Sequence, residues 1–444
     1  MRSDGEKKRV SIVRYERPQD SVRKAVELCG GFDHLPGDAR VFIKPNIVFW
    51  SKAVRFPKWG VITTSRVVED MVILLKEHGI DKITIGEGMV TFDPKDTDTP
   101  AHAFESLGYP LLKKRYGIEY VNIHERSFEK RDLGDGIHLN FNTDFLHSDF
   151  VVDLPVLKTH AQTVVSLGIK NIKGTIDMNS RKKCHSADPE KDLNFMVSRF
   201  LKVLPPCFTI LDGIYTAERG PGFDGKARRS NLLVGSRDII AVDMVGAMLL
   251  GYAPGEVPYL VHAADSEGRP LDLSDIEISG ERIEDAASRH QYQFPYTADG
   301  NLPLPMKRMG IEGLSYRKYD LTLCTYCSMA SGPVLAGIAQ AWKGEVWDDV
   351  EVLTGKSMKP TPGKRKTILF GKCMYQANKD NPDIREMIAV KGCPPSPRKI
   401  VEAFHKAGIP ISPDLLEKMD RLPEFFMRKY EGKPEFDDSF FKVE

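Results

Sequence analysis

Short apolar runs, each ending abruptly at a polar cluster and followed by a stretch of helical period, constrain this chain more than any other feature. Val41-Phe42-Ile43 ends at Lys44-Pro45-Asn46, and Lys82-Ile83-Thr84-Ile85 ends at Gly86-Glu87-Gly88. Phe150-Val151-Val152, Phe208-Thr209-Ile210-Leu211 and Leu232-Leu233-Val234 are further runs of the same kind. Val22, Ala25, Val26 and Cys29 fall at helical spacing behind a cap at Asp20 or Ser21. Val67, Val68, Met71, Val72, Leu74 and Leu75 do so behind Thr64 or Ser65, and a further helix is expected from about Ile239 to Leu250. Strands apolar on both faces need cover on both sides. The predicted class is therefore α/β, a mainly parallel sheet with helices on both faces.

The pattern changes after Ala286. His290, Gln291, Tyr292, Gln293, Pro295, Pro303 and Pro305 carry no clean period. Residues 1–285 are thus expected to form the first α/β domain, and residues 286–319 a linker. Residues 320–444 are expected to form a smaller α/β domain. Its strands are expected at 320–323, 350–353 and 367–370, its helices at 333–342 and 397–407, with a charged helical tail over 413–430.

Lys and Arg number 63 against 62 Asp and Glu, a net charge of +1 over 444 residues, so no overall basic field favours nucleic acid. The start, MRSDGEKKRVSIVRYE, lacks a signal-peptide core, and no run approaches the roughly 20 apolar residues of a membrane span. A cytoplasmic protein is expected. Its seven cysteines are too sparse for a disulfide scaffold.

Four of those cysteines fall in the second domain: Cys324-Thr-Tyr-Cys327, Cys373 and Cys393. The C-x-x-C pair brings two thiolates to one centre from a single turn. Cys373 and Cys393 follow the apolar runs Thr367-Ile368-Leu369-Phe370 and Ile388-Ala389-Val390, at the strand edge where open α/β sheets place ligands. A structural zinc usually takes two close pairs, whereas an iron–sulfur cluster accepts dispersed ligands and often has Pro after a ligand Cys, as in Cys393-Pro394. A [4Fe–4S] cluster is the favoured cofactor, with zinc as the alternative. A redox dithiol at Cys324 and Cys327 would leave Cys373 and Cys393 unexplained. Cys29 and Cys207 read as core residues. Cys184, beside His185, reads as a thiol in a solvated basic loop, with a reactive thiol as the other possibility.

The densest polar stretch runs from Asp153 through Lys158-Thr159-His160 and Gly168-Ile-Lys170-Asn171-Ile-Lys173-Gly174 to His185. Lys158, Lys170 and Lys173, with Asn171 and two imidazoles, suit a carboxylate or phosphate, with His160 and His185 available for proton transfer. Lys44 and Asn46, also at a strand end, are expected to join the same edge. Asp212, Glu218 and Asp224 around the glycine-rich loop Gly220-Pro221-Gly222 are candidates to orient a ligand or hold a cation. No P-loop is present; Gly220-Pro221-Gly222-Phe223-Asp224-Gly225 has G-x-G-x-x-G spacing, but no helical pattern follows it, so it is not read as a dinucleotide fingerprint. The basic segment 356–366 reads as an exposed turn, with docking of an acidic redox partner as its functional alternative.

These motifs in order (Lys44-Pro45-Asn46, Asp153 to His160, Gly168 to Gly174, His185, Asp212-Gly213, Gly220-Pro221 and Ser236-Arg237-Asp238 to Asp243) resemble the domain of unknown function 362 family over about residues 40–255. The resemblance implies an α/β fold and association with iron–sulfur modules, without a reaction. Members often carry a ferredoxin-like module with tightly spaced cysteines, which this chain lacks. Gly392-Cys393-Pro394-Pro395 is similar to a cluster-ligand segment of the small respiratory complex I subunit.

The expected function is an iron–sulfur oxidoreductase of anaerobic metabolism. It would act on a small anionic substrate and take electrons from a ferredoxin-like donor. The substrate would be bound by Lys44, Asn46, Lys170, Asn171, Lys173 and Asp212, with His160, Lys158 and His185 catalytic. One alternative is a non-redox lyase or isomerase using the cluster as a Lewis acid. The other is an electron carrier or assembly protein without a substrate of its own.

Overall fold

A computed structural model describes residues 7–91, 93 and 95–444; the first six residues of the amino-terminal segment lie outside it. Its larger sheet has ten strands. Eight run in the order Ile276–Gly280, Lys8–Arg14, Lys226–Ser236, Cys207–Glu218, Phe150–Leu154, Arg40–Pro45, Lys82–Glu87 and Glu119–Asn122. Pairing is parallel from Cys207–Glu218 to Glu119–Asn122. Strand Lys226–Ser236 runs antiparallel to both its neighbours. Two short strands, Val156–His160 and Val164–Ser166, extend the sheet beside Cys207–Glu218.

Alternation along the strands explains the two-sided cover. Val41 and Ile43 enter the core beneath helices Asp20–Cys29 and Ser65–Glu77, while Phe42 enters the core beneath helix Ile239–Leu249. Thr64 caps its helix by accepting from the Val67 amide at 3.4 Å, and Asp238 caps its own by accepting from Ala241 at 2.7 Å. The expected mainly parallel α/β architecture is the one observed.

One buried carboxylate ties the second helical layer to the strand ends. Asp243 accepts from the amides of Gly168 at 2.6 Å and Ile169 at 3.0 Å, and from the Tyr259 hydroxyl at 3.1 Å. This pins the short helix Gly168–Asn171, which carries Lys170 and Asn171. Burial pushes the Asp243 carboxyl up to about 7. A Cβ on residue 168 would lie 2.9 Å from that carboxylate, so only glycine lets the turn approach.

The second sheet is wholly parallel, in sequential order Leu314–Tyr316, Val350–Leu353, Lys366–Phe370 and Glu386–Val390. It has its own core, including Val334, Ile338, Val352, Phe370, Ile400 and Phe404. Its first strand and the buried Leu302, Met306 and Ile311 come from the segment expected to be a linker. Residues 320–323, expected as a strand, instead form a turn in which the Asp320 carboxylate accepts from the Thr322 amide at 2.8 Å. The helix expected at 333–342 begins earlier, as Thr325–Ala341, with Pro333 inside it.

The carboxy-terminal tail also differs from expectation. It breaks into the short helices Pro413–Glu417 and Leu422–Met427 and then returns to the first domain. Tyr430 and Phe441 are buried in that domain's core, and the Tyr430 ring lies 5.3 Å from Trp59 and 4.6 Å from Phe436. The Tyr430 hydroxyl accepts from the Ala227 amide at 2.9 Å, and Arg66 meets Glu444 at 2.5 Å. Tyr430→Ala should lower stability by about 3 kcal/mol and Tyr430→Phe by about 1 kcal/mol, read from urea unfolding. A loss below about 1 kcal/mol for the alanine variant would contradict docking of the tail.

Candidate anion-binding cavity and thiol cluster

A cavity of about 1410 Å³ lies between the two domains and the tail. Both sheets contribute the carboxyl edges of their strands. Lys44, Glu87, Lys158 and His160 come from the first, and Tyr316 and Thr354 from the second. This is the edge at which open parallel sheets bind ligands, here presented twice.

The floor is a network of buried charge, in which Asp153 Oδ2 finds no hydrogen-bond partner among the described residues. Lys44 and Lys158 are 0% and 1% exposed. The Lys44 ammonium donates to Pro45 O at 2.6 Å, Glu87 Oε2 at 2.9 Å and Asn171 Oδ1 at 3.5 Å. Lys158 donates to Val61 O at 2.5 Å, Asn46 Oδ1 at 2.7 Å and Pro221 O at 3.4 Å. Asn171 accepts from Asn46 Nδ2 at 2.9 Å, and its own amide donates to Asp153 Oδ1 at 2.8 Å and Lys44 O at 3.1 Å. All three protons of both ammonium groups are therefore engaged within the protein. A Cβ on Gly174 would fall 2.5 Å from the Lys44 ammonium, so that floor also needs glycine above it.

Lys170 and Lys173 stand differently. Both remain partly accessible to the cavity, and no hydrogen-bond acceptor contacts the Lys170 ammonium among the described residues. Lys173 donates to His185 Nε2 at 2.8 Å, while His185 Nδ1 lies 3.0 Å from Leu321 O of the second domain. A carbonyl only accepts, so Nδ1 bears the hydrogen and the ring is neutral. His160 Nδ1 accepts from the Gln162 amide at 3.1 Å, which leaves Nε2 as the protonated nitrogen of a neutral ring. His160 thus offers a hydrogen-bond donor rather than a base at Nε2.

Enclosure and like charge act together on this end. Burial, then Lys170 and Lys173, push His160 well below the usual histidine range; burial, then Lys173, do the same to His185. Lys170 is held well below the lysine range by burial and by Lys173 and Lys158, and burial lowers Lys173 to about 8. The Glu87 carboxylate is occupied by Lys44 and by the Ile47 and Gly88 amides. A bound anion would supply the missing counter-charge.

Several expected site residues lie elsewhere. Asp212 is buried and accepts from the amides of Thr64 at 2.7 Å and Ile214 at 3.1 Å, so its role is to hold a strand end; it does not line the cavity. Glu218 pairs with Arg228 at 2.5 Å, whereas Asp224 does stand on the cavity wall. Cys184 is fully buried core, not a loop thiol, while Cys29 and Cys207 are buried as expected. Lys356, expected in an exposed turn, donates to Lys182 O at 2.9 Å and to His185 O, fastening the second domain to the first. Glu87, Arg181 and Gln162 also line the cavity, and sequence reasoning passes them over. Glu87 stands at the end of a recognised strand, the one cue that could have found it.

The four thiols sit at the second sheet's carboxyl edge. Cys324 precedes helix Thr325–Ala341, Cys327 lies in its first turn, Cys373 lies in the first turn of helix Lys372–Asn378, and Cys393 follows strand Glu386–Val390. Cys324 and Cys327 act most strongly on each other, which, against burial, pushes Cys324 below the usual thiol range and Cys327 above it; Cys393 and Cys373 add to that rise. Cys393 in turn feels Lys182, Cys324, Cys373 and Lys372. Among the described residues no three His, Cys, Asp or Glu side chains gather tightly enough to hold one metal ion. Cys324, Cys327 and Cys373 stand at helix N-termini, and Lys182 and Lys372 lie within electrostatic reach of Cys393. That donor set fits a multi-iron, anionic core.

Fold and site define an α/β protein of two main sheets with a cationic cavity between their carboxyl edges. Residues 41–248 match the model of the family described as Domain of unknown function (DUF362). The chain is 29% identical over 243 residues to the Thylakoid-associated protein sll1697 of Synechocystis sp., covering 54% of this chain and 71% of that protein. A structure of the lactate racemase apoprotein from Thermoanaerobacterium thermosaccharolyticum aligns at a TM-score of 0.31 and 14% identity, over 52% of this chain and 54% of that one.

The depressed Lys173 sets a pH dependence. In the window from about 10.5 down to about 8 the unfolded chain holds the proton that the folded, ligand-free protein releases, so stability falls as pH falls there. A bound anion favours the charged form and offsets this. Sulfate affinity, measured by calorimetry, should fall up to about tenfold per unit as pH rises above about 8, and Lys173→Met should flatten that profile. A wild-type profile flat over that range would contradict the assignment.

Proposed function

We propose that the protein is an oxidoreductase that binds an anionic substrate in the cationic cavity and carries a [4Fe–4S] cluster on Cys324, Cys327, Cys373 and Cys393. The observation that carries this reading is adjacency. Lys173 on the cavity wall lies within electrostatic reach of Cys324, and His185 and Lys356 bind across the same domain boundary. When bound, such a cluster supplies or accepts single electrons. Lys170 and Lys173 hold the substrate's negative charge. The His160 Nε2 hydrogen donates to an oxygen on which charge develops, a role suited to a neutral imidazole. The floor network keeps these groups in place and occupies the Glu87 carboxylate.

Cys373 and Cys393 are exposed, with Lys372 and Lys391 beside them. An acidic, ferredoxin-like electron donor suits that surface. The cytoplasm is the compartment proposed for this activity; no helix among the described residues is long and apolar enough to cross a membrane. The Cys324–Cys327 pair also suits a redox dithiol, so the test must separate a pair from a foursome. Protein purified without oxygen should contain iron and acid-labile sulfide in equal amounts. Each of Cys324→Ala, Cys327→Ala, Cys373→Ala and Cys393→Ala should lose most of both. Zinc without sulfide, or dependence on the first two cysteines alone, would contradict the cluster.

A further inference from the structure

We propose that the ligand of this cavity is an amphiphilic oxyanion, with a carboxylate or phosphate head at Lys170 and Lys173 and a long alkyl or aryl body. The inference rests on the anion-binding reading above and adds the substrate class. Cavities for drug-sized ligands usually measure roughly 300–1,000 Å³. At about 1410 Å³, this one far exceeds a small carboxylate. Its enclosed cations, Lys44, Lys158, Lys170 and Lys173, belong to the first sheet's edge; the tail side carries exposed charges of both signs, Arg421, Glu424 and Glu431 among them, and apolar side chains stand between.

Helix Thr325–Ala341 has no charged residue in 17 positions. Ala330, Val334 and Ile338 on one face enter the second core, while Met329, Gly332, Leu335 and Ala336 on another line the cavity. Gly332 and Ala336 keep that wall open. A run of rings lines the same cavity: Phe223 lies 4.9 Å from Phe49 and 5.6 Å from Phe426, which lies 5.6 Å from Phe425. Phe425 is 61% exposed, though it stands on the cavity wall. Apolar surface left open in a pocket with a cationic end is complementary to a molecule that is apolar along its length and anionic at one end.

Calorimetry on the full-length protein with methyl, butyl and octyl phosphate, and with acetate, pentanoate and nonanoate, tests this. Affinity should rise with chain length in at least one series, by about a hundredfold or more from methyl to octyl, since each buried methylene contributes roughly three- to fourfold. The tighter series identifies the head group. Ala336→Trp should erase the chain-length gain while leaving methyl phosphate or acetate binding intact, which also shows that the variant is folded. Lys170→Met should weaken every member of the series. Short anions that bind as tightly as long ones would overturn the amphiphile while leaving the anion site standing. Octanol binding as tightly as octyl phosphate would remove the charged head, and no binding by any anion would overturn both readings.

Discussion

Enclosing an ammonium group is costly unless every proton finds an acceptor, and the whole site depends on how that cost is met. Asn171 is the shared element. Its oxygen receives Asn46 and reaches Lys44, and its amide holds Asp153 and the Lys44 carbonyl. Two lysines from separate strand ends are thereby satisfied within a fixed floor. Because Glu87 is committed to that floor, Lys170 and Lys173 above it have no carboxylate counter-charge from it, and burial favours their neutral forms until an anion binds. That edge of the cavity suits an anion, while Asp224, Asp414, Glu424 and Glu431 line its other walls.

Position follows from backbone as much as from charge. Asp243, on the far helical layer, grips the start of the helix that carries Lys170 and Asn171. Gly168 and Gly174 allow the close approaches this requires. The second domain sets its carboxyl edge against the first through His185–Leu321 and Lys356–Lys182, and the tail then anchors in the first domain's core through Tyr430. Cavity and thiol cluster therefore share one boundary, so a movement of either domain would be felt by both.

Much of this architecture is legible in the amino-acid sequence. Strands ending at Lys44, Glu87 and Asp153 stand out because buried parallel strands are continuously apolar and their ends are abruptly polar. The lysine and histidine motif is visible for the same reason. Asp212 misleads because a carboxylate at a strand end looks alike whether it faces a ligand or two backbone amides. Cys184 misleads because basic neighbours suggest solvent, yet its side chain turns into the core. The strand Leu314–Tyr316 is three residues long, too short for its period to register, and prolines upstream disguise it as part of a linker. The docked tail leaves no periodic trace, since Tyr430, Phe436 and Phe441 act as separate anchors rather than as one face of a helix.

Whether the four thiols share one inorganic core is tested most directly by anomalous diffraction at the iron edge, from crystals grown without oxygen. The predicted result is an iron peak bounded by the sulfurs of Cys324, Cys327, Cys373 and Cys393, beside the cavity wall formed by Lys173. A peak at the zinc edge alone would contradict it, as would a Cys324–Cys327 disulfide with Cys373 and Cys393 turned away.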